Sequence, residues 1–252
     1  MSGFKKTVAP HLAGAPQCEA KGLIWLREGS SAVVEVLEVD NISITTEYIE
    51  HTSPSALMAW RAGQELARIH ALGAPAFGAP PPGWEGDIYI GTQRQSAQPT
   101  ADWAEFYCRQ RVWPFVIQAV ASGNLSTRDE AVLATVLEKV EQIQWPTIAP
   151  ARIHGDLWNG NLIFGTHGPF LIDPAAHGGH PLTDLAMLEL FGCPYLEEFF
   201  AGYQKITALP ENFRSMLSLH QLHPLAVHTF THGPSYAPEL MRAAYTTLKV
   251  LA

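Results

Sequence analysis

The chain has 252 residues, of which 47% are hydrophobic and 16% charged, enough apolar material for a sizeable buried core. Its 16 basic residues against 24 acidic ones give a net charge of −8, the wrong sign for binding nucleic-acid phosphates. We therefore expect a folded protein without a nucleic-acid partner.

Neither the cysteines nor the hydropathy pattern indicates a secreted or membrane protein. Cys18, Cys108 and Cys193 form no CxxC pair and are typical of reduced thiols. The N-terminal segment lacks the apolar stretch of a signal peptide, and no run approaches the roughly 18 apolar residues of a membrane span. We predict a cytoplasmic monomer without a membrane partner.

The first 50 residues are predicted to form a small sheet with one helix. The elements are a strand from Phe4 to about Val8, a helix over 16–29, and strands over Val33–Val39 and Ile42–Ile49. Asp40 and Asn41 between the last two strands are typical of a hairpin turn.

After residue 50 the pattern becomes mainly helical. Helices are predicted over 53–70, over 101–122 with Pro114 expected to kink or break the run, and over 128–143, together with a loop at 71–83 and three further helices in 181–252. Thr127 and Glu130 have the spacing of a capping box. We predict an α+β fold, with residues 1–50 as one lobe and 51–252 as the other.

The segment IHGDLWNGNLIFGTHGPFLIDP, residues 153–174, carries the strongest chemical pattern. Asp156 is followed five residues later by Asn161, and Asp173 comes after a predicted β-hairpin that turns at 165–168. Kinases use this order for a catalytic base, an amide that holds Mg²⁺ and a second carboxylate on the metal. Mg²⁺ takes few protein ligands and prefers oxygen, so Asn161 and Asp173 suit it.

Asp156 would then face the open side, where it could orient a hydroxyl and accept its proton. The competing interpretation is that Asp156 and Asp173 are ordinary turn residues and that Asn159-Gly160 is a simple turn. The joint pattern favours the kinase interpretation, because every element of the template occurs in the right order.

Two weaker features fit an ATP-binding site. Lys6 on the first strand and Glu19 on the first helix could form the ion pair that positions phosphates in kinases, with Lys5 as the rival lysine. The stretch Glu47, Tyr48 and Ile49 falls where a kinase lets adenine meet backbone groups. The alternative interpretations are a solvated surface pair and a simple strand end.

Four stretches resemble the fructosamine kinase family: CEAKGLIWL, DWAEFYCRQRVWP, HGDLWNGN and LIDPAAHGGHPLTDLAMLELFG. The resemblance implies a protein-kinase-like fold with two lobes, similar to the aminoglycoside phosphotransferases. It also implies ATP and Mg²⁺ as cofactors and a ketosamine, or a glycated amine or protein, as the partner. The sugar part would be phosphorylated, after which the adduct falls apart and frees the amine.

The resemblance further implies a role for each matching residue. Asp156 would be the catalytic base, Asn161 and Asp173 the Mg²⁺ ligands, Lys6 and Glu19 the phosphate-positioning pair, His154 a brace of the loop, Asp184 its backbone anchor, and Trp158, His177 and His180 neighbours of the sugar. A packing role for Trp158 remains an equal alternative.

One departure from the family is the missing Gly-rich hairpin ahead of Lys6, since no GxGxxG occurs in the chain. Either this branch dispenses with the hairpin or the chain is shortened, and its loss should weaken ATP retention. Two other functions therefore stay open: a kinase of another small alcohol such as an aminoglycoside or choline, and a non-catalytic nucleotide- or sugar-binding pseudokinase.

Overall fold

The computed structural model describes residues 3–252, and this part of the chain is mainly helical with four small antiparallel sheets. The strands are β1 Gly3–Thr7, β2 Val36–Val39, β3 Ser43–Glu47, β4 Ile88–Ile90, β5 Gln93–Gln95, β6 Ala151–Ile153, β7 Leu162–Gly165, β8 Gly168–Leu171 and β9 His177–Gly179. The helices are α1 Ala15–Arg27, α2 Ala56–Ala71, α3 Trp103–Phe106, α4 Trp113–Ala121, α5 Thr127–Gln142, α6 Leu182–Phe191, α7 Leu196–Ile206, α8 Phe213–His232 and α9 Ala237–Val250.

The chain folds into two compact units. The first unit comprises the residues up to Pro99 together with Ala149–Leu209, and the second comprises Thr100–Ile148 and Pro210–Ala252. The lobe boundary at residue 50 stays a prediction, and the first two residues of that lobe lie outside the described part.

The first sheet has the strand order β1-β3-β2, and it places Lys6 opposite Ile44. The predicted hairpin between β2 and β3 is present. The Asp40 carboxylate accepts the amides of Ile42 and Ser43 at 2.8 and 2.7 Å, which fixes the turn. The strand predicted over Val33–Val39 is shorter and begins at Val36.

Helix α1 runs close to the segment that follows Asp173. A Cβ added to Gly22 would lie 3.0 Å from the Cβ of Ala176, so the helix backbone approaches this segment closely and leaves little room for a larger residue. Glu19 lies one turn earlier on the same helix, and it is therefore carried towards Asp173.

Helices α2 and α7 cross in backbone contact. A Cβ on Gly63 would overlap the carbonyl of Phe199, and a Cβ on Gly202 would overlap the carbonyl of Trp60. The two glycines let the helices approach to this distance, which sets His70 on α2 beside Tyr203 on α7.

Strands β7 and β8 form the predicted hairpin, with Gly165 paired to Gly168 at its end. Two other strand pairs were not predicted. Strand β6 pairs with β9, and β4 pairs with β5. The strands β4, β5 and β9 have only three residues each, too few for a period-two pattern to be visible.

In the second unit, Pro114 does not break the helical run. Residues Tyr107–Val112 form a π-helix between α3 and α4, and Pro114 occupies the first turn of α4. The wider turn of the π-helix accommodates Pro114, whose nitrogen has no hydrogen to donate. In a regular α-helix its ring would clash with the carbonyl four positions earlier.

Two helix predictions were wrong in detail. The N-cap of α5 is Ser126, whose hydroxyl accepts the Asp129 amide at 3.1 Å, and not Thr127. Residues 181–252 contain four helices, α6 to α9, where three were predicted, because each of the three breaks at Pro194, Pro210 and Gly233-Pro234 separates two helices. Within residues 3–252, no helix has both the length and the apolar character needed to cross a membrane.

Candidate active site

A cavity of about 630 Å³ in the first unit brings five predicted residues together: Lys6, Glu19, Asp156, Asn161 and Asp173. Its remaining lining comes from the start of α1 and the turn before it, from the β4–β5 hairpin, and from Trp158 and the segment 174–176. Residues far apart in the chain therefore share one solvent-accessible space.

Lys6 is held between two carboxylates. Its Nζ lies 2.6 Å from Glu19 Oε2 and 3.1 Å from Asp173 Oδ1, whereas Lys5 is exposed. Burial alone would lower the pKa of Lys6, but attraction to the two carboxylates raises it. Neighbouring residues of a strand point to opposite faces, so β1 directs Lys6, and not Lys5, towards the two carboxylates.

The carboxyl groups of the cavity outnumber the single lysine. Burial raises the pKa of Glu19 to about 7 against the opposing attraction of Lys6. Burial, reinforced by the charge of Asp173, also raises the pKa of Asp156 to about 7. The negative charge of Asp173 opposes ionisation of Glu19 and of Asp156, and a cation bound at Asp173 would relieve that repulsion.

The oxygen atoms around Asn161 suit Mg²⁺. The Asn161 amide nitrogen donates to the backbone oxygen of Asp156 at 2.8 Å and to its carboxylate at 3.3 Å, which leaves the amide oxygen available as a ligand. Residues 3–252 contain no cluster of three or more His, Cys, Asp or Glu that could hold a metal. Mg²⁺ does not need one, since it keeps water and phosphate ligands beside one or two protein groups.

Asp173 has an unusual backbone conformation. Its φ of 52° is in the left-handed region, where Asp is one of the few non-glycine residues tolerated. The conformation comes just after the β7–β8 hairpin, and it presents the carboxylate to Lys6 in the cavity. Strain of this kind is often found at functional sites.

The loop that carries Asp156 is fixed from behind by Asp184, which is fully buried at the start of α6. Its carboxylate accepts the backbone amides of His154 at 2.7 Å and Gly155 at 2.8 Å. Burial would raise the pKa of Asp184, but the hydrogen bond with His70 and the nearby histidines hold it below its usual value.

His154 links the same loop to the end of β8. Its Nε2 lies 2.8 Å from the backbone oxygen of Ile172, and its Nδ1 accepts the Asp156 amide at 3.3 Å. Gly155 has a φ of 78°, and a Cβ there would overlap the carbonyl of Ala175. The backbone around Asp156 is therefore specified on both sides.

Two residues of this support were missed in the sequence. His70 Nε2 lies 3.0 Å from Asp184 Oδ2, and His70 Nδ1 lies 2.8 Å from the Tyr203 hydroxyl. Both contacts are satisfied when Tyr203 donates to Nδ1 and Nε2–H donates to Asp184. In the sequence, His70 is only one more residue on the buried face of α2, and no spacing rule relates it to Tyr203.

Trp158 and the two histidines predicted near the sugar have different surroundings. Trp158 lines the cavity with 43% of its surface exposed, and its ring covers Gly160. His177 lies on β9, buried, with Nδ1 2.7 Å from the Ala175 oxygen. Neither His177 nor His180 is among the described residues that line the cavity.

The predicted adenine segment also lies outside the cavity lining. The Glu47 carboxylate accepts the Glu35 amide at 2.9 Å and approaches Arg27 at 3.7 Å. Tyr48 is 55% exposed, and Ile49 is buried. A role for their backbone groups in adenine binding stays a prediction.

A family model described as fructosamine kinase matches residues 4–249. Among named relatives, a protein of Enterococcus faecium classed as a ketoamine kinase is 31% identical over 69% of this chain and 62% of its own length. One from Vibrio parahaemolyticus, classed likewise, is 30% identical over 94% of this chain and 80% of its own. The chain thus spans slightly less than two thirds of the first of these relatives.

Solved structures agree with the family match. A crystal structure from Thermobifida fusca YX-ER1, of a protein classed as a fructosamine-3-kinase, is 39% identical with a TM-score of 0.92, and the match covers 98% of this chain and 85% of that one. An aminoglycoside-3'-phosphotransferase of type VIII has a TM-score of 0.56 at 19% identity over 90% of this chain and 84% of that one, which shows the fold alone. The predicted α+β, protein-kinase-like fold and the predicted resemblance are therefore confirmed: the chain belongs to the fructosamine kinase family.

Proposed function

We propose that this chain transfers the γ-phosphoryl group of ATP to a hydroxyl on the sugar part of a ketosamine. Family membership supports phosphoryl transfer to such an acceptor. The observation that carries the proposal is the convergence of Lys6, Asp156, Asn161 and Asp173 on one cavity, since these are the residue types that kinases use for phosphoryl transfer.

Asp156 is proposed as the catalytic base. It lines the cavity beside Asn161, and its pKa of about 7 lets it accept a proton from the acceptor hydroxyl near neutral pH. The bracing by His154 and Asp184 keeps its backbone in place, so the carboxylate can orient the hydroxyl before transfer.

Asn161 and Asp173 are proposed to hold Mg²⁺ through the amide oxygen and the carboxylate. When bound, Mg²⁺ neutralises charge on the phosphates. Lys6 touches Asp173 now, and it would turn its free N–H groups to the α- and β-phosphates while Glu19 keeps it in place. The backbone of Glu47, Tyr48 and Ile49 is proposed to receive the adenine.

On the acceptor side we propose that Trp158 contacts the sugar, since its ring lines the cavity mouth. His177 and His180 do not line the cavity, and we propose that they support the segment 174–176, which does. We also propose that the protein works in the cytoplasm as a monomer with no nucleic-acid or membrane partner. The net charge of −8 supports the absence of a nucleic-acid partner, because it would repel nucleic-acid phosphates.

The test is ATP-dependent phosphorylation of a synthetic ketosamine, followed by ³¹P NMR. Asp156→Asn should lower kcat by about 10²- to 10⁴-fold with little change in nucleotide affinity, because only the proton acceptor is removed. Glu38→Gln, at an exposed acid on β2, serves as the matched control and should leave kcat unchanged.

The same assay separates the alternatives. Faster turnover of an aminoglycoside or of choline than of any ketosamine would replace the proposed acceptor. Nucleotide binding without turnover of any acceptor would indicate a pseudokinase.

A further inference from the structure

The β4–β5 hairpin forms one wall of the active cavity. Ile88 and Tyr89 on β4 and the turn residues Gly91 and Thr92 all line the same space as Lys6 and Asp156. A group bound in the cavity would therefore meet this hairpin.

The hairpin is attached firmly to α1. Ile88 packs with Cys18 and Ala97 in a buried cluster, against which Trp84 and Tyr89 also pack. The Trp84 indole N–H donates to the backbone oxygen of Asp87 at 3.0 Å, which closes the approach to β4. Because it is packed in this way, the hairpin can present side chains in a fixed position to an acceptor.

Gln95 lies directly across from Ile88 in the hairpin and is only 4% exposed. Neither the nitrogen nor the oxygen of its side-chain amide has a hydrogen-bond partner among residues 3–252. A buried amide without a partner is unfavourable, so the hairpin has unmet hydrogen-bonding capacity directly across from the cavity-lining residue Ile88.

Tyr89 and Arg94 are cross-strand neighbours in the same hairpin. The Arg94 guanidinium carbon lies 5.2 Å from the centre of the Tyr89 ring, so the ring supports the cation. Arg94 is exposed, and no carboxylate of the described residues lies within ion-pair distance of it. Arg94 does not itself line the cavity, but it stacks on Tyr89, which does. The same cavity is lined by the three carboxyl groups of Glu19, Asp156 and Asp173.

We propose that the Tyr89–Arg94 pair binds the carboxylate of an acceptor that is a glycated free amino acid; this rests on the proposed function. Such a ketosamine has an ammonium group beside the sugar and a carboxylate beyond it. The ammonium is attracted to the acidic interior, and the carboxylate is directed outward to Arg94. A guanidinium suits a carboxylate because the two can form paired hydrogen bonds.

The test uses two acceptors that differ only in charge, the fructosyl adducts of glycine and of glycinamide. Arg94→Gln should raise KM for the glycine adduct about fivefold, as expected for one partly exposed ion pair, and leave kcat unchanged. The KM for the glycinamide adduct should stay the same. The KM of Arg94→Lys should fall between those of wild type and Arg94→Gln. Arg128→Gln, at an exposed arginine of α5, a helix that contributes no residue to the cavity lining, should change neither KM.

Calorimetric binding of both adducts to wild type and Arg94→Gln accompanies the kinetics. If wild type turns over neither adduct, the proposed function fails, and the measured Kd then decides on Arg94. If Arg94→Gln raises the Kd of the glycine adduct and not that of the glycinamide adduct, the proposed role of the Tyr89–Arg94 pair is supported. An equal effect of Arg94→Gln on both adducts, or no effect on either, overturns the proposal.

Discussion

At the scale of single residues, a relay of buried hydrogen bonds ends at the loop that carries Asp156. Tyr203 contacts His70, His70 contacts Asp184, and Asp184 holds the amides of His154 and Gly155. Each link is a buried hydrogen bond, so removal of one partner leaves another polar group unsatisfied.

Tyr203→Phe tests this relay. Without the hydroxyl, His70 loses the donor to Nδ1 and can turn away from Asp184, so kcat should fall about three- to tenfold, while KM for ATP changes less than twofold. The free energy of unfolding should fall by about 1–3 kcal/mol. Steady-state kinetics and urea denaturation measure both, with Tyr245→Phe, at an exposed tyrosine, as the control. An unchanged kcat would remove Tyr203 from the account.

The sequence supplied some of these residues but not others. Asp156, Asn161 and Asp173 share one short segment with a known spacing, so their convergence could be predicted. The choice between Lys5 and Lys6 could not be predicted. The two lysines are neighbours on one strand and point to opposite faces, and the sequence does not show which face meets the cavity. His70 and Tyr203 are 133 positions apart, and only the folded chain brings them together.

At the scale of elements, the crossing of α2 and α7 positions the relay. Gly63 and Gly202 lie where the two helix backbones touch. Glycine normally weakens a helix, and replacing it by alanine stabilises an exposed helix by about 1 kcal/mol. Here the added methyl group has no space.

Gly63→Ala should therefore destabilise the protein by about 1–3 kcal/mol, the opposite sign from helix propensity. The activity should fall as well, because the added methyl group pushes α2 and α7 apart and so separates His70 from Tyr203. Urea denaturation and kcat measure the two effects. A gain in stability would show that the helices are not in backbone contact.

Element prediction succeeded where local chemistry is strong. The β2–β3 turn at Asp40 and the β7–β8 hairpin follow from residues that favour turns. Strands of three residues, such as β4 and β9, show no periodicity and were missed. The π-helix before Pro114 was missed because it compensates for a residue that by itself predicts a break.

At the scale of the whole molecule, buried and half-buried histidines set the response to acid. Burial lowers the pKa of four of them: His154, His180, His223 and His228. For His180 the pKa falls to about 3, and for His228 to about 4. Below a pH of about 6.5 the unfolded chain takes up protons that the folded chain does not, so stability falls as pH falls.

Glu19 and Asp156 act in the opposite direction, since their raised pKa values let the folded state bind protons first between about pH 4 and 7. Four histidines outweigh two carboxyl groups, and we expect the free energy of unfolding to be lower at pH 5 than at pH 7. Asp156→Asn should enlarge that drop. Urea denaturation at the two pH values measures it, and equal stability would show that the histidines are not buried as described.

Asn161 and Asp173 are proposed to hold a divalent cation beside Asp156. A crystal structure with ATP and Mn²⁺ in place of Mg²⁺ tests it directly, since manganese is identified by its anomalous scattering. We predict a manganese peak bonded to the Asn161 amide oxygen and the Asp173 carboxylate, with the γ-phosphate facing Asp156. Manganese bound elsewhere, or ATP bound while the side chains of Asn161 and Asp173 are too far apart to share one ion, would contradict this assignment.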